Sequence, residues 1–327
     1  MLINRNLKNI TLFGVNIYTI LFASLISFSF IGCTNTEADD LIVGGDLDVD
    51  SKPSGDTSSL EGNYGSGLKT AWSYKLEKTH TTKLKYTPGV WSAYYDTDIR
   101  EKSSKGDIIF DIYGGNTTSY IVGVDQQKSG NTSGKYDREH TFPKSWWNSS
   151  SVDSNSSWTY MYTDIYHVLP CDHDLNSIRL NYPYGEPSKV SFTSESGCKL
   201  GTQYVSQVGT LTVFEPRDEV KGDLARIYFY FATRYEREAL STWGSSGKNI
   251  LTYTAYPFYK QWTIDLLLKW HRQDPVSERE QDRNDAVKQI QGNRNPFVDY
   301  PELVEHIWGD KKNENFYFKN TVTGVEK

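Results

Sequence analysis

Apolar and polar positions change rhythm several times along the 327-residue chain, and each change marks a different kind of segment. Residues 10–30 are almost continuously apolar, whereas residues 34–67 carry almost no large apolar side chain. Further on, Asp107-Ile108-Ile109-Phe110-Asp111-Ile112-Tyr113 predicts a strand stopped by Gly114-Gly115, and Tyr120-Ile121-Val122 a weaker one. Residues 136–141 read as extended up to Pro143, which has no N–H to offer a ladder. Residues 162–169 read as a second strand, halted by Pro170. Asp172 is placed to cap a short helix running through Asn176 to Arg179. Beyond it the period turns helical. Leu224, Ile227, Tyr228, Phe231 and Tyr235 recur at three- and four-residue spacing and predict one buried stripe within residues 216–237. Residues 262–270 are apolar enough for a largely buried helix. Ser277 and Glu280 match a capping box, Gly292 supplies the stop, and Pro301 opens a last short helix ending near Trp308. Strand signals followed by helical ones, without internal repeat, define a mixed α+β class.

The apolar run at the start is not part of that fold. Arg5 and Lys8 precede it and no acid occurs before Glu37, which is the layout of an export signal. It ends Phe30-Ile31-Gly32-Cys33, which resembles a bacterial lipobox with Cys33 as the lipidated residue. A plain membrane-spanning anchor is the bland alternative, since about 20 apolar residues can span a bilayer. The expected organisation is a signal over residues 1–32, lipidated Cys33 and a flexible acidic linker over 33–67, one domain over 68–312, and a tail over 313–327. An exported bacterial outer-membrane lipoprotein follows, monomeric, on the cell surface or the periplasmic face, or else released from the cell.

Charge and cysteines constrain the partners. Losing Arg5 and Lys8 with the signal takes the formal charge from −6 to −8. Proteins that hold nucleic acid by a general electrostatic footprint are usually basic, so polyanion binding here needs a local patch and bound cations. With Cys33 assigned to lipid, Cys171 and Cys198 remain as an even pair in an oxidising compartment. They read either as a disulfide, stabilising by about 3 kcal/mol on the chain-entropy model, or as two buried thiols. Neither belongs to a Cys-x-x-Cys pair, which argues against zinc.

The densest chemistry lies in Tyr136-Asp137-Arg138-Glu139-His140-Thr141-Phe142-Pro143-Lys144-Ser145-Trp146-Trp147. A neutral histidine can serve as general base near physiological pH. One Mg²⁺, held by a carboxylate and an amide oxygen and otherwise by water, can polarise a phosphate. Glu139 and Asn176 are hard oxygen ligands of that kind. Arg138, Arg179 and Arg294 are candidates for a bidentate grip on phosphate. Taken singly, His140 is more often a hydrogen-bonded structural residue, Asn176 a helix-start residue and Glu139 a surface ion-pair partner. Their coincidence with a proline stop and a strand–strand–helix unit favours the site. Adjacent strand residues point to opposite faces, so for Glu139 and His140 to serve one site the sequence predicts a bulge or irregular strand end.

These segments resemble the bacterial endonuclease I family, exported nucleases built on a ββα-metal (His-Me finger) motif. The likeness is carried by residues 138–146, by Thr163-Asp164-Ile165-Tyr166-His167, by Leu175-Asn176-Ser177-Ile178-Arg179-Leu180-Asn181-Tyr182-Pro183, and by Lys221-Gly222-Asp223-Leu224-Ala225-Arg226. Gln289-Ile290-Gln291-Gly292-Asn293-Arg294-Asn295-Pro296-Phe297 completes it, in the family's order and over roughly residues 68–310. The resemblance implies a metal-dependent, largely sequence-nonspecific endonuclease acting on DNA, with RNA as a second substrate, and leaving 5′-phosphates. His140 would be the base, and Glu139 and Asn176 the ligands of one Mg²⁺, with Mn²⁺ or Ca²⁺ able to stand in. Asn181 is the alternative amide ligand. Arg138, Lys144 and Asn181 would contact substrate, with Asp164 and His167 supporting the site from behind. Two departures stand out. Tyr166 occupies the first of two positions where the family often has histidines, leaving His167. The arginine that some members carry soon after the catalytic histidine is missing, and Arg179 or Arg294 is the expected replacement. A rival class is a surface glycan-binding lipoprotein without catalysis, using some of the 9 Trp and 23 Tyr to stack on sugars; core packing is the bland reading of the same aromatics.

Overall fold

A computed structural model of the protein describes residues 60–318, apart from 129, 131, 148–157, 239, 241 and 242. The expected signal, Cys33 and most of the linker lie outside the described residues. The packed chain begins earlier and ends later than composition implied. Leu60 and Phe316 are both buried, and Phe316 N–H donates to Asn63 O at 2.8 Å, so the two ends of the domain close on each other.

Helix α1 (Gly65–Thr79) and helix α2 (Trp91–Thr97) open the domain, followed by the short antiparallel pair β1 (Ile99–Glu101) and β2 (Ile108–Ile109). The strand expected over residues 107–113 thus shrinks to two residues. Asp111 explains the break: its carboxylate accepts the backbone N–H of Tyr113 and Gly114 at 3.0 and 2.8 Å, which bends the chain away from a ladder.

Strand β3 (Tyr136–His140) pairs antiparallel with β4 (Val168–Asp172) in unbroken register, from Tyr136 opposite Asp172 to His140 opposite Val168. Two sequence expectations fail here. There is no bulge, so Glu139 and His140 do point to opposite faces. Nor is 162–169 a strand: α3 (Trp158–Thr163) is followed by a turn and then β4. Asp164 drives that turn, because its carboxylate takes the Tyr166 N–H at 2.9 Å while its carbonyl takes His167 N–H and Val168 N–H, each at 3.1 Å. Pro170 lies inside β4 rather than ending it. A two-stranded ladder has a free edge that tolerates the missing donor, and the Pro170 carbonyl still accepts from Ile112 N at 3.0 Å.

Asp172 caps α4 (His173–Arg179) as expected, its side chain accepting from Leu175 N at 2.8 Å. Beyond it, β5 (Lys189–Thr193), β6 (Lys199–Val205) and β7 (Gly209–Glu215) form a separate antiparallel sheet. Helix α5 (Lys221–Arg234) then runs through the core. Its expected single stripe is exceeded: every one of its residues is buried. Three of its charged members, Lys221, Asp223 and Arg226, are tolerated inside because each meets a counter-charge. Lys221 reaches Glu215 at 2.6 Å, Arg226 bridges both oxygens of Glu280 at 2.7 and 2.6 Å, and Asp223 meets Arg279. Helix α6 (Gln261–Gln273) packs along α5. The capping-box helix α7 (Glu278–Gln291) stops at left-handed Gly292 as predicted, and α8 (Pro296–Asp299) and α9 (Leu303–Ile307) close the domain.

The expected disulfide is not made: Cys171 and Cys198 are both buried free thiols. Each sulfur has its own acceptor, Asp172 O at 3.2 Å and Tyr113 O at 3.5 Å. Burial pushes both thiols up, which suppresses the thiolate that oxidation needs.

Candidate active site

The β3–β4–α4 unit brings one face of a strand against one face of a helix. Asp137 and Glu139, two residues apart, share a face of β3. His173, Asn176 and Arg179, spaced by three, share a face of α4. Across this seam His173 Nδ1 lies 2.6 Å from Asp137 Oδ2, and Asn176 Nδ2 donates to the same oxygen at 3.4 Å. One turn further, Arg179 donates to Glu139 Oε1 at 2.8 Å, and the Tyr113 hydroxyl donates to that oxygen at 3.0 Å. Tyr113 is itself 2.6 Å from the Tyr184 hydroxyl, and the Arg179 guanidinium lies over the Tyr184 ring.

The seam fits a small hard cation. Both contacts to Glu139 fall on Oε1, and the amide of Asn176 is oriented by its nitrogen. Among the described residues no hydrogen bond engages Glu139 Oε2 or Asn176 Oδ1. These are oxygen donors of the type Mg²⁺ prefers, with waters completing its shell. Among the described residues no cluster of three or more His, Cys, Asp or Glu side chains is placed to hold a metal ion. Burial pushes the Glu139 carboxyl up to about 7 against the pull of Arg179 and Tyr113; a bound cation would hold it ionised.

His140 projects from the opposite face. Its ring stacks with Tyr162 and Tyr86, at centroid distances of 5.2 and 5.9 Å, and neighbours His167 at 5.5 Å. Nε2 is 3.0 Å from the Tyr162 carbonyl. A carbonyl can only accept, so Nε2 carries the hydrogen and Nδ1 keeps the lone pair. Burial, followed by the nearby His167, Lys144 and Arg138, pushes the imidazole down to about 3, so His140 is neutral at physiological pH.

The other expected residues divide into those near the site and those that serve the fold. Arg138 lies 3.5 Å over the Tyr86 ring and 4.3 Å over that of Trp91, with NH1 donating to Tyr86 O and to Thr87 Oγ1 at 2.8 Å. Lys144 sits over Tyr162 at 4.8 Å, and exposed Asn181 donates to Ser145 Oγ at 3.0 Å rather than to the seam. Asp164 is a fully buried acceptor for Tyr230, Tyr235, Gln291 and Tyr166 N–H. His167 binds Met161 O through Nε2 and packs beside His140.

The geometry does not support Arg179 or Arg294 as the phosphate arginine. Arg179 is 1% exposed, and besides Glu139 it binds the carbonyls of His140 and Thr141 at 3.1 and 2.7 Å. It positions β3. Arg294 is gripped by both oxygens of Asp299, at 2.8 and 2.7 Å, and by Asp285. Sequence reasoning missed Asp137 and His173, although a strand period of two from Glu139 and a helix period of three from Asn176 point to them. Tyr86, Tyr113 and Tyr184 come from distant segments and carry no local signal.

A ββα unit with a neutral histidine on one face and carboxylate and amide oxygens on the other carries the residue types that metal-assisted phosphodiester hydrolysis uses. The chain belongs to the Endonuclease I family, whose model matches residues 64–302. It is therefore a nuclease, a hydrolase of phosphodiester bonds. It is similar to an extracellular ribonuclease of Bacillus amyloliquefaciens, 32% identical over 268 residues that cover 78% of this chain and 80% of the relative. An extracellular ribonuclease of Bacillus subtilis is 31% identical over 256 residues, 76% of each chain. A periplasmic deoxyribonuclease of Aeromonas hydrophila is 24% identical over 149 residues, 44% of this chain and 51% of the relative. Nucleases of this family are typically metal-dependent.

Proposed function

We propose that the protein is an exported endonuclease of low sequence specificity that hydrolyses RNA and DNA with one Mg²⁺ and leaves 5′-phosphates. The relatives' names include both ribonucleases and a deoxyribonuclease, which supports a substrate range spanning both sugars. The observation that supports the mechanism is the Tyr162 carbonyl on His140 Nε2, which leaves Nδ1 with the lone pair that a base needs.

In this reading Glu139 Oε2 and Asn176 Oδ1 hold the ion. Bound there, Mg²⁺ would supply charge neutralisation to the scissile phosphate and the departing oxygen. His140 Nδ1 takes a proton from water as the water oxygen bonds to phosphorus and the bond from phosphorus to the 3′ oxygen breaks. The departing 3′ oxygen takes a proton from a solvent water, which gives a 3′-hydroxyl and a 5′-phosphate, and His140 returns its own proton to solvent. Arg179 and Tyr113 keep Glu139 in place, while Lys144 and Arg138 meet the substrate phosphates. Arg294 has no part in the step. Asp164 and His167 fix the turn that delivers the Tyr162 carbonyl.

Exported status rests on the signal-like start and on relatives named as extracellular or periplasmic. Anchoring through lipid on Cys33, with the protein monomeric at the outer membrane, completes the proposal; incorporation of labelled palmitate that Cys33→Ser abolishes tests it. The activity is tested by incubating the protein with single-stranded RNA and plasmid DNA, with Mg²⁺ or with EDTA, and analysing the new ends. Metal-dependent cleavage to 5′-phosphate ends supports the reading. Cleavage that EDTA leaves intact, or 5′-hydroxyl ends, contradicts it.

A further inference from the structure

Two clefts lead away from the seam on the Arg138 side of β3. The inner one, about 340 Å³, starts at Asp137 and Asn176 and is walled by Gln127, Lys128 and Arg138. The outer one, also about 340 Å³, shares Trp91, Gln127, Lys128 and Arg138 with it and continues past Gln126 to Tyr95. Each is near the lower end of the roughly 300–1,000 Å³ that encloses a small-molecule ligand. That is room for one nucleotide unit, not for a duplex.

Their chemistry matches a nucleic-acid strand. Arg138 is held flat on Tyr86 and Trp91 with one nitrogen already bonded, and it lines both clefts. Lys128 adds a second positive charge, and Gln126 and Gln127 add amides. Arg138 covers Tyr86, and Trp91 is 7% exposed, so neither ring offers an open face to a base. Tyr95 is different: it is 52% exposed, yet its hydroxyl end is wedged against Gly123. A Cβ at Gly123 would lie 1.7 Å from the Tyr95 hydroxyl, and Gly123 has φ +76°, so only glycine accommodates this contact. Gly123 N–H in turn donates to the Tyr136 hydroxyl at 3.0 Å, tying the wedge to β3. An exposed aromatic ring held this rigidly has already lost the freedom that stacking would otherwise cost.

We propose that the two clefts bind two successive nucleotides of an unpaired strand on one side of the scissile phosphate. Arg138 and Lys128 take the phosphate between them, and Tyr95 stacks the outer base. The inference rests on the nuclease reading and extends it to a preferred substrate form. A paired base would have to leave its own stack to reach Tyr95, at a cost of a few kcal/mol. Single strands are therefore the substrates that gain from the outer cleft.

The test uses the full chain with Tyr95→Ala and Tyr95→Phe. Binding of a labelled single-stranded 20-mer is followed by fluorescence anisotropy in EDTA, where no cleavage interferes. Cleavage of the same 20-mer, of its duplex and of a dinucleotide is then measured with Mg²⁺. Tyr95→Ala should weaken binding and raise KM for the single strand on the order of tenfold. Its kcat should stay unchanged, as should turnover of the duplex and the dinucleotide. Tyr95→Phe, which keeps the ring, should match wild type. Equal single-strand binding by wild type and Tyr95→Ala overturns the proposal even if all proteins cleave, and so does an equal loss on all three substrates. Wild type that cleaves nothing removes the nuclease reading, while the anisotropy arm still reports on the cleft.

Discussion

Which atom of each side chain is already engaged decides what that side chain can do. Tyr162 O takes Nε2 of His140, Arg179 and Tyr113 take Oε1 of Glu139, and Asp137 takes the nitrogen of Asn176. Each engagement leaves the chemically useful atom available. Asp137, itself fixed by His173, is thus a positioning residue for the proposed amide ligand Asn176. Asp137→Ala and His173→Ala should lower Mg²⁺ affinity about 10–100-fold, as loss of a partner behind a metal ligand commonly does. Titration calorimetry with Mg²⁺ checks this, and raising Mg²⁺ should recover the cleavage rate; unchanged affinity would remove the role. Glu139, His140 and Asn176 could be singled out in the sequence because a contiguous motif and a capped helix carry them. Arg179 was misread, since a sequence displays a charge but not the direction in which a buried side chain points.

Among the elements, the β3–β4 ladder is regular where the sequence implied a bulge. An unbroken ladder sends Glu139 toward α4 and His140 toward the Tyr86–Tyr162 stack, so the proposed metal ligand and the proposed base lie on different faces. Short-range signals were read correctly: the Asp172 cap, the Ser277–Glu280 box and the Gly292 stop are all present. The strand assigned to residues 162–169 failed because β-branched and aromatic side chains there were outweighed by one Asp164 side chain bonding its own backbone turn. The box also separates local from tertiary energetics. Ser277→Ala should cost about 1 kcal/mol, the value of an N-cap. Glu280→Ala should cost more, roughly 3–5 kcal/mol, because it strands buried Arg226 without its bidentate partner. Denaturant unfolding of both variants measures the difference; equal losses would mean the ion pair adds nothing.

For the whole molecule, a core that buries α5 on every side also buries histidines. Burial pushes His80 and His271 down to about 4, His140 to about 3, and His167 also downward, from an ordinary value of 6.5. The unfolded chain takes up protons at these rings below pH 6.5, whereas folded His80, His140 and His271 do so only near pH 4 or lower. Their stabilising contribution is therefore complete above pH 6.5 and declines as pH falls toward 4. The slope is up to about 1.4 kcal/mol per pH unit for each such histidine. Glu139, raised to about 7, acts in the opposite sense but is one group against four. The melting temperature of the metal-free protein should be nearly flat above pH 7 and fall steeply between pH 6 and 4.5; a flat profile through that window would contradict the burial of neutral histidines. None of this was legible from the sequence, where the helical stripe of residues 216–237 implied one buried face and an exposed opposite one.

The central claim is that His140 Nδ1 activates the attacking water while metal binding is handled on the other face of β3. Its most direct test is the cleavage rate of His140→Ala on single-stranded RNA at saturating Mg²⁺. The account predicts a rate lower by about 10²–10⁴-fold, the usual contribution of a positioned general base. A His140→Ala rate close to that of wild type, still abolished by EDTA, would contradict it.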